Sequence, residues 1–65
     1  MQLFFKVPRY INAEEAAAEL ERLKGVLRID QTRDPDYGMI IIVSIDDEAE
    51  AAVRARAFDL SLVAF

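Results

Sequence analysis

The sequence predicts an α+β fold in which two helices pack on one face of a four-stranded antiparallel sheet. Two segments with helical periodicity alternate with four short segments rich in branched and aromatic residues, in the order strand, helix, strand, strand, helix, strand. Of the 65 residues, 54% are hydrophobic, which is enough for one small core. We therefore expect a single domain over residues 1–65.

The first third of the chain predicts a strand followed by a helix. QLFFKV is rich in aromatic and branched residues and stops at a proline. Asn12, with Glu15 three residues later, is a variant of the capping box and predicts a helix start. Arg22 and Lys24 are expected in the last turn, where cations suit the helix dipole, and Gly25 is expected to end the helix. Its predicted apolar face consists of Ala13, Ala16, Ala17, Leu20 and Leu23.

A hairpin is predicted in the middle of the chain. VLRIDQT predicts the second strand, with Leu27, Ile29 and Gln31 on one face. RDPDYG combines proline, glycine and aspartates, which is typical of a turn. MIIIVSI predicts the third strand, which is apolar on both faces.

The last third of the chain predicts a second helix and a fourth strand. Asp46 or Asp47 is expected to cap a helix that runs through about Phe58, and SLVAF is long enough for a short strand. The residues expected to point inward from this helix are Ala49, Ala52, Val53, Ala57 and Leu60. Right-handed crossovers would place both helices on one face of the sheet, giving a ferredoxin-like βαββαβ sandwich.

The charge balance indicates which partners to expect. Eight basic residues against twelve acidic residues give a net charge of −4. Phosphate backbones attract lysine and arginine, so we expect no nucleic-acid partner, and the same balance disfavours an anionic membrane surface. The longest apolar run, MIIIV, is too short to span a bilayer. Because no targeting signal is recognisable, we expect a cytoplasmic location.

The residue types favour a protein without catalytic chemistry. There is no histidine and no cysteine, which removes the common general base, the common nucleophile and the usual zinc and copper ligands. The carboxylates of DPD and DDEAE are interpreted as solvated turn and helix-start residues, and they lack the spacing and glycine turn of a calcium loop. We therefore predict no enzyme activity, no catalytic residue, no cofactor and no metal site.

From Leu3 to Phe65 the layout resembles the heavy-metal-associated domains of copper chaperones and copper pumps. A strand leads to an exposed loop and a helix, LKGVLRID carries a glycine and a valine before the second strand, and EAEAAVRARAFDLSLV follows much as that family closes. The family's metal site is a C-x-x-C motif at the helix start, whose thiolates hold Cu(I). The corresponding positions here fall near Asn12 and Glu15. The resemblance implies the fold without the metal site.

Two other families share this layout. LFFKV resembles the first strand of the RNA-recognition domain, with Phe4 at a base-stacking position, but Met39 and three isoleucines stand on the third strand where aromatic residues would stack bases. The small-ligand-binding regulatory domains of amino-acid metabolism also share the layout, although their glycine-bearing turn after the first strand is missing.

The main functional signal is on the face of the sheet turned away from the helices. The strand residues expected to face the helices are Leu3, Phe5, Val7, Met39, Ile41, Val43 and Ile45. Phe4, Ile40 and Ile42 then point to the open face, which is normally polar, and Val63 or Phe65 joins them. A contiguous apolar group on a surface marks a protein contact.

We therefore predict a non-enzymatic interaction module that buries this face against a copy of itself or against another protein. Phe4, Ile40 and Ile42 would be the anchors, with Lys6 and Arg28 at the rim. The alternative left open is a small-ligand-binding regulatory domain that holds its ligand at a subunit interface.

Overall fold

A four-stranded sheet forms the centre of the computed structural model, which describes all residues from Met1 to Phe65. Its strands are β1 (Gln2–Lys6), β2 (Val26–Asp34), β3 (Gly38–Ile45) and β4 (Val63–Ala64). They lie in the order β2-β3-β1-β4, and every neighbouring pair is antiparallel. The predicted antiparallel sheet of four strands is confirmed.

Two helices complete the α+β fold and cover one face of this sheet. Helix α1 (Ala13–Glu21) follows β1, and helix α2 (Glu50–Asp59) follows β3. Alternate strand residues and the inner helix residues join in one apolar core without a buried polar side chain. The buried residues are Leu3, Phe5, Val7, Ala16, Ala17, Leu20, Ile41, Val43, Ile45, Ala49, Val53, Ala57 and Leu62. The period-two pattern predicted for β1 and β3 is therefore confirmed, and the opposite sheet face carries no helix.

The start of α1 agrees with its predicted cap, and its end does not. The side-chain oxygen of Asn12 accepts a hydrogen bond from the backbone N–H of Glu15 at 3.1 Å. The helix ends at Glu21, so Arg22 is the C-cap and Lys24 lies beyond the last turn. The prediction that α1 ends at Gly25 is wrong, because a 3₁₀-type hydrogen bond replaces the α-helical pattern before that residue. The N–H of Leu23 bonds to the carbonyl of Leu20, three residues back.

The second helix begins differently from the prediction. A short 3₁₀ turn, Asp47–Ala49, precedes α2, and Asp46 at its N-cap makes no side-chain capping bond. The backbone N–H of Ala49 instead bonds to the carbonyl of Asp46 at 2.9 Å. Ala52, expected to point inward, is exposed, because the inner face of α2 is centred on Val53 and Ala57.

The edge strand β2 contains a bulge that alters the predicted alternation. Val26 pairs with Ile45 but Arg28 pairs with Ser44, so Leu27 has no partner on β3. Leu27 is 67% exposed, whereas Val26 and Ile29 pack against the core. The expectation that Leu27 and Ile29 share a face is wrong, because the extra residue shifts the register between them. The hairpin is also longer than expected: β2 extends to Asp34.

The fourth strand has only two residues because the preceding residues cap α2. The N–H of Leu62 bonds to the carbonyl of Ala57, and the N–H of Ser61 bonds to the carbonyl of Phe58. These two bonds form a Schellman motif, in which Ser61 takes the left-handed position with φ 64°. Leu62 is buried against the core. Only the end of SLVAF is therefore free to pair with β1.

Candidate interaction surface

The side chains of the uncovered sheet face lie in register across three strands. Phe4 of β1 pairs with Ile42 of β3, and Lys6 pairs with Ile40 on one side and with Val63 of β4 on the other. Partners in register point to the same face of a sheet. All of these residues therefore lie on the open face, opposite the core residues Leu3 and Phe5.

The apolar members of this face are neighbours on β3, β1 and β4, with Lys6 between two of them. The backbone N–H of Phe65 bonds to the carbonyl of Phe4 at 3.2 Å, which carries this group one residue beyond β4. Phe4 is 43% exposed, Val63 52% and Phe65 61%, while Ile40 and Ile42 are half-buried between neighbouring strands. We call these five residues the apolar strip. An open face that alternates normally would show polar side chains at these positions.

A sixth apolar side chain comes from the hairpin turn between β2 and β3. The ring of Tyr37 packs edge-on against the ring of Phe65, with centroids 5.2 Å apart and an angle of 88° between the planes. A carboxylate oxygen of Asp34 accepts hydrogen bonds from the N–H groups of Asp36 and Tyr37, at 2.8 and 3.1 Å, and fixes the turn. Sequence reasoning did not identify Tyr37, because the alternation of strand residues does not predict where the side chain of a turn residue points.

Charged and polar residues surround the strip unevenly. Arg28 and Asp30 lie on the open face of β2 and form an ion pair, with 2.9 Å between Nε and the nearer carboxylate oxygen. Asp30 lies directly opposite Ile42, and Arg28 lies opposite Ser44. Lys6 has no ion-pair partner and is half-buried between Ile40 and Val63. Arg28 is therefore at the predicted rim, while Lys6 lies within the strip.

All seven residues that the sequence singled out are thus placed on one face of the sheet. Phe4, Ile40, Ile42, Val63 and Phe65 are brought together as the apolar strip. Lys6 is among them, and Arg28 is one strand pair away at the corner of the sheet.

Two further polar contacts lie away from the apolar strip. The loop after β1 ends in the cap formed by Asn12. On the helix side, Arg56 of α2 donates a hydrogen bond to Glu19 of α1 at 2.8 Å. That bond, together with the nearby charge of Arg22, lowers the pKa of the Glu19 carboxyl from its ordinary value. The bond between Arg56 and Glu19 joins the two helices on the side of the sheet opposite the apolar strip.

A cleft of about 780 Å³ lies at the end of the molecule where the hairpin turn approaches the loop after β1. Lys6 and Val63 of the open face reach its wall, as does Tyr37. The cleft therefore adjoins the apolar strip and shares residues with it.

In comparisons with known proteins, no family model, no curated protein and no solved structure matches this chain. Among the helices, neither has the length and apolar character that crossing a membrane requires.

Proposed function

We propose that this protein is a non-enzymatic interaction module that associates with a second copy of itself through the apolar strip. The observation that carries the proposal is the position of Phe4, Ile42 and Phe65 side by side on a sheet face without a helix over it. Burial of such a face removes apolar surface from water, at about 25 cal/mol per Å².

The charges on this face favour a second copy as the occupant. Lys6 lies unpaired within the strip, while the edge strand of the same face carries Asp30, paired with Arg28, and Asp34, which forms no ion pair. In a two-fold symmetric contact, a residue of one copy meets a different residue of the other, and the reverse pair forms as well. Such a contact can bring Lys6 of each copy to the acidic edge of its partner, while the lysine stem packs on the strip.

The small size of the face favours a weak contact. The two largest extents of the whole backbone are only 31 and 19 Å, so a contact confined to the apolar strip buries less than the about 800 Å² per partner of a standard interface. We therefore propose a reversible dimer with a dissociation constant in the micromolar range. At lower concentrations the monomer would predominate, and a different protein could occupy the strip.

The finer fold assignment belongs to the same proposal. We interpret the domain as a ferredoxin-like sandwich, supported by the order β2-β3-β1-β4 and by the two helices that share one core with the sheet. On this interpretation, the resemblance to heavy-metal-associated domains extends to the architecture, and the cap at Asn12 takes the place of their metal motif. A cytoplasmic location remains a prediction.

Replacement of Ile42 by lysine tests the proposed contact. Ile42 is half-buried on the open face, and Asp30 opposite it can accept the new charge in the monomer. The fold should therefore persist, as read by circular dichroism. A charge in the dimer contact costs about 2–5 kcal/mol, which is at least about thirtyfold in the dissociation constant. Sedimentation equilibrium of Ile42→Lys should show a monomer where the unaltered protein is dimeric.

Two further variants separate the strip from general effects of charge and hydrophobicity. Ala52→Lys adds the same charge on the exposed side of α2 and should leave the dimer intact. Phe58→Ser removes a side chain that is 81% exposed on α2, away from the strip, and should also leave it intact. A monomeric unaltered protein at high micromolar concentration would contradict self-association, and a dimer lost in Phe58→Ser would place the contact on the helices.

The cleft beside the strip favours a second candidate function, that of a small-ligand-binding regulatory domain. Lys6 and Val63 contribute to both the cleft and the open face. A ligand in the cleft would therefore lie next to the proposed subunit contact. A metabolite mixture that changes the sedimentation mass or the melting temperature would favour this function.

A further inference from the structure

Four of the eight basic side chains have no ion-pair partner, and three of these line the cleft. Arg22, Arg28, Arg54 and Arg56 are each paired with a carboxylate. The unpaired ones are Lys6, Arg9, Lys24 and Arg33, of which all but Lys24 lie in the wall of the cleft. In a chain with a net charge of −4, this grouping creates a local excess of positive charge.

The acidic residues of the cleft do not cancel this excess. Asp34 and Asp36 also line the wall. One oxygen of Asp34 is occupied by the N–H groups of Asp36 and Tyr37, which hold the turn. Neither aspartate forms an ion pair with Arg9 or Arg33. Three cations against two carboxylates leave the cleft with a formal charge of +1, while the chain as a whole is acidic.

The rest of the wall is apolar and includes three ring-bearing side chains. Pro8, Pro35 and Tyr37 contribute rings, and Ile11 and Met39 lie nearby in the same cleft. Small-molecule sites commonly combine an apolar lining with a few convergent polar groups that fix orientation. Guanidinium groups bind carboxylate and phosphate through paired hydrogen bonds.

We propose that this cleft binds a small organic anion, with its phosphate or carboxylate held by Arg9 and Arg33 and its apolar body against Pro35 and Tyr37. Lys6 supplies a third cation at the border with the apolar strip. The inference deepens the ligand-binding alternative and does not rest on self-association. Ligand binding is measured by NMR shifts of cleft residues and self-association by the sedimentation mass, so the two proposals are tested separately.

The test is an NMR titration of ¹⁵N-labelled protein with phenyl phosphate, compared with inorganic phosphate and with benzyl alcohol. We expect saturable shifts confined to the hairpin turn, the loop after β1 and the adjoining cleft residues Lys6, Arg33 and Val63. Phenyl phosphate should bind more tightly than either comparison compound. Inorganic phosphate lacks the apolar body and benzyl alcohol lacks the charge. Absence of saturation at millimolar phenyl phosphate, or shifts as large at Phe4 and Ile42, which lie outside the cleft, would overturn the proposal.

Three single variants, each of which removes one positive charge, identify the residues that bind the anion. Arg9→Gln and Arg33→Gln should each weaken phenyl phosphate binding by about threefold to tenfold, as expected for loss of one partly exposed charged contact. Lys24→Gln removes the unpaired cation outside the cleft and should leave the affinity unchanged. Equal weakening by all three variants would show general attraction of anions, and the proposed site would be wrong. Unaltered amide spectra away from the substitution verify that each variant is folded.

Discussion

Replacement of Gly25 by alanine should destabilise the fold through two separable effects. Gly25 has φ +89°, a conformation that side chains disfavour by about 1–2 kcal/mol. An added Cβ would also lie 2.7 Å from the Cβ of Ala49. Contacts that short force a shift of the surrounding structure, at a cost of about 1–3 kcal/mol. We therefore expect Gly25→Ala to lower the free energy of unfolding by about 2–5 kcal/mol.

Gly38 supplies a matched control. Its φ is +80°, but an added Cβ would meet nothing within 4 Å. Gly38→Ala should therefore show the backbone effect alone, about 1–2 kcal/mol. A chain of this size has a total stability of about 3–10 kcal/mol, so the two variants are readily distinguished by urea denaturation.

A double-variant cycle isolates the contact between Gly25 and Ala49. In an Ala49→Gly background the clashing methyl group is absent, and the cost of Gly25→Ala should fall to that of Gly38→Ala. Equal costs for Gly25→Ala and Gly38→Ala in the unaltered background would refute the close approach of the two segments. The backbone bond from Asp46 N–H to the Gly25 carbonyl, 2.8 Å long, holds these segments together.

Three further variants test local features of the fold. Ser61→Gly should raise the free energy of unfolding by about 0.5–1 kcal/mol in urea denaturation, because glycine adopts φ 64° without strain; a loss of stability would contradict the Schellman assignment. Asn12→Ala should lower it by about 1 kcal/mol through loss of the helix cap, and an unchanged value would show that the cap contributes nothing. Because the pKa of Glu19 is lowered in the folded state, its contribution to stability is present at neutral pH and lost as the pH falls through that pKa. Glu19→Gln should therefore reduce the loss of stability on acidification, whereas Glu21→Gln, without an ion pair, should not.

Local patterns predicted the order of the elements and the two faces of the inner strands. Leu3, Phe5, Ile41 and Val43 alternate with residues of the open face, because a strand repeats every two residues. The same alternation placed Phe4, Ile40 and Ile42 on the open face and left open whether Val63 or Phe65 joins them. Asn12 marked the start of α1 because its side-chain oxygen can satisfy an otherwise free N–H group.

The errors lie where contacts distant in sequence decide the local conformation. Leu27 was assigned to the wrong face because the bulge depends on how β2 pairs with β3, which the segment itself does not specify. Gly25 resembled a helix terminator, but its left-handed conformation instead serves the close approach to Ala49. Tyr37 and the cations of the cleft come together only when the hairpin turn meets the loop after β1. No spacing in the sequence predicts that meeting.

The most direct test of the proposed contact is an isotope-filtered NOE experiment on a mixture of ¹³C-labelled and unlabelled protein. Only protons on different copies give signals in this experiment. The proposed dimer predicts intermolecular NOEs from the methyl groups of Ile40 and Ile42 to the rings of Phe4 and Phe65, which lie on the same open face. Intermolecular NOEs that arise from Phe58 on α2 instead, or none at concentrations where the mass is dimeric, would contradict association through the apolar strip.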